Sequence, residues 1–147
     1  MEYHSYINFY FEDLEEFPFP DKIIREWILC IITHENSHPG NINFIFCSDA
    51  YLSKLNVEYL KHDTLTDIIS FDYSDEFTNV SGDIFISIER VQENSKKFNI
   101  SFQEEFLRIL SHGVLHLLGY DDKSVTLKTE MTRKENFYLN LFDLSVF

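Results

Sequence analysis

"SFQEEFLRILSHGVLHLLGYDD" occupies residues 101–122. Ser101 and Glu104 have the S-x-x-E spacing of a capping box, so a helix starts there. Phe102, Phe106, Ile109, Leu110 and Leu117 recur at helical spacing, and the segment is apolar enough to be largely buried. Gly119 can take a positive φ and stops the helix. Inside this apolar helix stand His112 and His116, four residues apart, and beyond the glycine come Asp121 and Asp122.

Residues i and i+4 lie on one helix face, roughly 5–6 Å apart at Cβ, so the two imidazoles can serve one ion. After Gly119 the chain can turn back. Asp122, six residues after His116, can then bring a carboxylate to the same ion from a loop. Three protein ligands with a fourth position open is the layout of a catalytic zinc site, not a closed structural one. The plain rival is a pair of core histidines satisfied by hydrogen bonds. It leaves the glycine at +3 and the carboxylate at +6 unexplained. His4, His34, His38 and His62 have no partner at ligand spacing and belong to surfaces or loops. The spacing also matches the metzincin protease pattern H-E-x-x-H-x-x-G-x-x-H. Here, however, Gly113 replaces the glutamate that serves those enzymes as general base.

Working outward, Tyr6–Phe11 alternates and reads as a strand, and Lys22–Glu35 carries apolar residues at helical spacing with Asp21 as N-cap. Ile42–Cys47 is a second strand, and a short helix begins at Ser48 or Asp49. Asp67–Tyr73 and Asp83–Ile88 are the third and fourth strands, with Ser81–Asp83 read as a turn around Gly82. A helix over Glu89–Phe98 precedes the histidine helix, and a last one covers about Thr126–Leu141. The order predicts one α+β domain over residues 1–147, with a mixed sheet of about four strands, packed helices and a metal site on a central helix.

The chain has 147 residues and a net charge of −13, which disfavours generic binding to a phosphate backbone. No apolar run reaches the roughly 18–20 residues of a membrane span. The N-terminus lacks a signal-peptide layout, so a cytoplasmic protein is expected. Cys30 and Cys47, in apolar settings without a CxxC pair, read as buried free thiols.

Several ordered motifs carry a resemblance. "HGVLHLLGYDD" (His112–Asp122) is similar to the YbeY family pattern H-G-x-L-H-L-x-G-Y-D-H. Upstream, "LNVEYL", "DTLTDIISF" and "GDIFIS" resemble that family's L-N-x-x-Y-R, D-x-P-T-D-V-L-S-F and G-D-I segments. Met131 and Glu135 fit its last helix. The resemblance implies a mixed sheet with helices and one Zn²⁺ held by three ligands. It further implies single-strand-specific RNA cleavage, a role in 3′-end maturation of small-subunit ribosomal RNA, and ribosome quality control. Its partners would be ribosomal RNA and the small ribosomal subunit, with no nucleotide cofactor and no membrane. Its frame selects His112, His116 and Asp122 as the metal ligands, with Asp121 in a loop-forming or supporting place.

Three residues depart from the pattern. Asp122 replaces a histidine, which adds negative charge and suits harder divalent ions such as Mn²⁺ as well as Zn²⁺. Leu60 stands in place of an arginine suited to the scissile phosphate, with Lys61 adjacent as a substitute cation. Leu65 replaces a proline. Asp67 is the candidate for orienting water. From another class, a ribosome-assembly binding factor with a structural metal also accounts for the acidity and for Leu60. A metalloprotease is the third reading, weakened by Gly113.

Overall fold

A computed structural model describes residues 6–60, 67–74 and 79–147, and at 59 and 60 the backbone alone. The elements run β1 (Ile7–Phe11), α1 (Asp21–His34), β2 (Pro39–Cys47), α2 (Asp49–Leu55) with a π-helical turn over Asn56–Leu60, β3 (Ile68–Asp72), β4 (Val80–Ser87), α3 (Ile88–Lys97), α4 (Phe102–Leu117) and α5 (Val125–Leu139). The strands form one mixed sheet in the order β1-β2-β4-β3. β1 and β4 pair parallel to β2, and β3 pairs antiparallel to β4. This is the expected α+β class with four strands. None of the described helices is long and apolar enough to cross a membrane.

Alternation along the strands sorts side chains between two faces. Ile7, Phe44, Phe46, Ile84 and Ile86 meet Ile24, Ile28 and Ile31 of α1 and Phe106, Leu110 and Val114 of α4 in the main core. Cys47 and Ile69 turn the other way and pack with Leu52 of α2.

The histidine helix α4 is the most buried of the helices. Ser101 caps it, its Oγ accepting from the Glu104 N–H at 3.0 Å. Gly119 ends it at φ +105°. The Tyr120 N–H donates to the Leu115 carbonyl and the Gly119 N–H to the His116 carbonyl, the two bonds of a Schellman motif. Two glycines let α4 lie low on the sheet. A Cβ at Gly113 would meet Ile84 and Ile68 side chains at 3.0 and 3.1 Å. A Cβ at Gly82 would meet the Phe71 carbonyl oxygen at 2.5 Å and Leu117 at 2.9 Å.

The structure corrects three local readings and decides between the two caps offered for α2. Ser81–Asp83 is no turn: it lies inside β4, and Gly82 serves the close approach of Leu117 instead. Asp21 is the first helical residue of α1, not its cap. Pro20 holds the cap position, where its ring presets the backbone angle. Ser48 rather than Asp49 caps α2. Cys30 is exposed and only Cys47 is buried, because Cys30 falls on the outer side of α1 while Ile28, Ile31 and Ile32 take the core side.

Overpacking a dense core costs typically about 1–3 kcal/mol. Gly82→Ala is therefore expected to lower stability by roughly that amount, since rigid backbone lies under its new methyl. Gly113→Ala should cost less, because the contacted groups are side-chain methyls and alanine gains about 1 kcal/mol of helix propensity. Urea midpoints check both, and a Gly82→Ala protein that unfolds at the wild-type midpoint would contradict the packing account.

Candidate metal and RNA-cleavage site

A cleft of about 730 Å³ opens between α4, α5 and the start of β3. Glu105, Arg108, Ile109, His112 and His116 line it from α4, Asp67, Ile68 and Ser70 from the β3 side, and Met131 and Glu135 from α5. Asp122 and Lys123 close it from the loop after Gly119. Counted from Glu105, the other α4 residues lie 3, 4, 7 and 11 positions on, which places them on one stripe beside the face that packs on the sheet.

His112 is held from behind. Its Nδ1 lies 2.7 Å from Oε2 of Glu135, a carboxylate buried at the foot of the cleft. A carboxylate accepts, so Nδ1 carries a proton, and in the neutral imidazole the lone pair is on Nε2, on the cleft side. Asp122 is on that side, its Oδ2 3.8 Å from Nε2. Burial works against the imidazolium. The Glu135 hydrogen bond and the charges of Glu135, Asp122 and Asp67 outweigh it and raise the His112 pKa. The other oxygen of Glu135 accepts from Arg108 Nη1 at 3.2 Å. One buried carboxylate thus registers both a histidine and a guanidinium.

His116 is exposed on the next turn of the same stripe. Of the two aspartates, Asp122 faces His112, whereas Asp121 Oδ1 accepts from the Lys123 N–H at 3.0 Å and shapes the loop. Among the described residues, no three His, Cys, Asp or Glu side chains are already gathered closely enough to hold an ion.

Asp67 sits just ahead of β3. Its carbonyl accepts from the Ser87 N–H at 3.1 Å and its Oδ2 from Asn94 at 3.3 Å. It therefore anchors the start of the strand while lining the cleft, and burial pushes its carboxyl upward. Lys61 lies outside the described residues. Ser111 bonds back along the helix to the Arg108 carbonyl at 2.8 Å, as its place predicts. Glu105, Arg108 and the clamping role of Glu135 were not anticipated. The signal was present in the sequence as Glu105 and Arg108 standing seven and four residues before His112, on the same helical stripe.

The loop carrying Asp122 is itself pinned. Glu35, at the end of α1, accepts from Tyr120 at 2.6 Å, from Lys134 at 3.0 Å and from Tyr138. Burial opposes ionisation of Glu35, but those three donors prevail and hold its carboxyl below the usual range. Such a group contributes stability above the carboxyl's ordinary pKa and loses it as pH falls through the depressed folded value. Glu35→Gln is expected to destabilise the protein by about 1–3 kcal/mol at pH 7. The gap should narrow below about pH 4, where an ordinary carboxyl protonates. Chemical unfolding of both proteins at pH 7 and pH 3.5 checks this, and an equal gap at the two pH values would contradict it.

A family model described as Endoribonuclease YbeY matches residues 12–143. An Endoribonuclease YbeY of Flavobacterium johnsoniae is 50% identical over 137 residues, covering 92% of this chain and 96% of that protein. One from Amoebophilus asiaticus is 47% identical over 134 residues, covering 90% of each. The solution structure of a Thermotoga maritima protein is similar at a TM-score of 0.62 and 28% identity, over 91% of this chain and 87% of that one. The match spans β2, β3, β4, α4, α5 and the cleft between them, and the chain belongs to the endoribonuclease YbeY family.

Proposed function

We propose that this protein is a metal-dependent, single-strand-specific endoribonuclease in which His112, His116 and Asp122 hold one divalent ion, Zn²⁺ first among the candidates. Its setting is the cytoplasm, and its work is 3′-end maturation of small-subunit ribosomal RNA and ribosome quality control. One observation carries the reading: Glu135 fixes the His112 tautomer so that Nε2 is free on the side where Asp122 waits. Carboxylate–histidine pairs of this kind orient metal-bound imidazoles. Two nitrogens and one carboxylate are an accepted catalytic donor set. His116 and Asp122 are both exposed and line the same cleft as His112, so neither side chain is locked away from an ion there.

When bound, such an ion supplies Lewis acidity to a phosphodiester. The residues of the chain supply the rest. Glu135 keeps His112 in register, Asp67 offers a carboxyl at the cleft wall to orient water, and Ile68, Ile109 and Met131 give the cleft apolar walls. Lys61, beside the departure at Leu60, is the sequence-based candidate for the phosphate charge. The protease reading fails on packing as well as chemistry, because a side chain at position 113 would run into Ile84 and Ile68 rather than reach the cleft.

Glu135→Ala is expected to weaken metal binding by about 10–100-fold, as loss of such an outer partner does. Titration calorimetry reads the affinity. Asp122→Ala should lose most of its metal and its cleavage of single-stranded RNA together; full retention of both would remove Asp122 from the ligand set. A purified protein that binds metal and RNA but never cleaves, even with small ribosomal subunits present, would favour the binding-factor reading. Products ending in a 2′,3′-cyclic phosphate would assign the attack to a ribose 2′-OH, and their absence to water.

A further inference from the structure

We propose that Arg108 and Glu105 form a phosphate-binding subsite on α4, one and two turns before His112, which takes the RNA phosphate next to the scissile one. The proposal rests on the endoribonuclease reading above. It starts from the charges that face the cleft. Among the described residues, three cations line it: Arg108, Lys123 and Lys128. The two lysines are exposed, on flexible stems. Arg108 is half-buried and oriented by Glu135, the carboxylate that also orients His112. Four residues of helix separate Arg108 from His112 by about 6 Å along the axis, comparable to one nucleotide step of an extended strand.

Arg108 is not used up by its partners. Glu135 takes Nη1 at 3.2 Å and Asn136 takes Nη2 at 2.9 Å, while Glu104 lies farther off at 3.8 Å. A guanidinium has five N–H donors, so hydrogens remain for a phosphate oxygen, and its planar fork suits that anion.

Glu105 supplies the second, independent observation. It is 5% exposed, it lines the cleft, and its Oε1 is buried with no hydrogen-bond partner among the described residues. An ionised oxygen left so would be costly, and a protonated carboxyl much less so. The charged groups facing it are Asp67 ahead of β3, Glu104 and Arg108 on α4, and Glu135 on α5. Burial first, then the charge of Asp67, pushes its carboxyl up to about 7, against the pull of Arg108. Uncharged, Glu105 adds no further negative charge to the Glu135 and Glu104 carboxylates already beside Arg108, and it offers an O–H donor next to the guanidinium. Ionised, it repels a phosphate.

The test uses a single-stranded oligonucleotide with 2′-deoxy sugars, its affinity read by fluorescence anisotropy and the bound metal measured in every protein. Arg108→Gln is expected to bind at least tenfold more weakly at pH 7 with metal content unchanged, and to show a salt dependence reduced by about one phosphate contact. Lys123→Gln and Lys128→Gln should each cost threefold or less. Wild-type affinity should fall between pH 6 and pH 8, whereas Glu105→Gln should bind more tightly than wild type at pH 8 and lose most of that pH dependence. If Arg108→Gln binds as wild type does, or if a lysine variant carries the loss instead, the subsite is overturned while the endoribonuclease reading stands. If Arg108→Gln loses metal in step with RNA, Arg108 only braces Glu135, and the subsite is again overturned. A wild-type protein that neither binds nor cleaves single-stranded nucleic acid overturns both.

Discussion

The cleft depends on how low α4 lies on the sheet. Gly113 against Ile84 and Ile68, and Gly82 beneath Leu117, remove the side chains that would otherwise hold the helix off β3 and β4. With the helix seated there, the adjoining stripe of Glu105, Arg108, His112 and His116 turns toward the gap between β3 and α5. α5 then delivers Glu135 to the one place where it can reach both His112 and Arg108. A helix standing an ångström or two higher would keep the same residues and lose these bonds, since hydrogen bonds weaken steeply with distance and angle.

The second organising feature is the handling of acid. A chain of net charge −13 looks a poor partner for RNA, yet the average says little about the cleft. There each carboxyl has a separate assignment. Glu135 is buried but spends both oxygens on cationic or proton-donating partners. Asp67 and Glu105 are pushed by burial toward their neutral forms. Asp122, exposed, stays available at the mouth. Glu35, outside the cleft, is kept ionised by three donors and ties down the turn that leads to Asp122. Local solvation and hydrogen bonding, rather than the number of acids, set the field a substrate would meet.

Much of this was legible in residues 101–122. The Ser101 cap, the apolar periodicity and Gly119 set the limits of α4 because they are short-range effects, decided within a turn of helix. The four-residue histidine spacing placed His112 and His116 on one stripe for the same reason. The α+β class followed from alternating periods of two and 3.6. The misread places are those where a distant partner decided. Gly82 resembles a turn residue until Leu117 is set above it, and Cys30 looks buried until the orientation of α1 is known.

By itself, then, the sequence determined the elements, their order, the histidine pair and the family frame that singles out Asp122. All of these rest on local geometry or on spacing along the chain. Only the tertiary structure decided that Glu135, 23 residues beyond His112, sets its tautomer, that Arg108 shares that carboxylate, and that Glu105 is buried with an oxygen unmatched among the described residues. Those facts depend on the approach of α5 to α4. That approach is set by the packing of many apolar side chains at once, and no spacing along the chain encodes it.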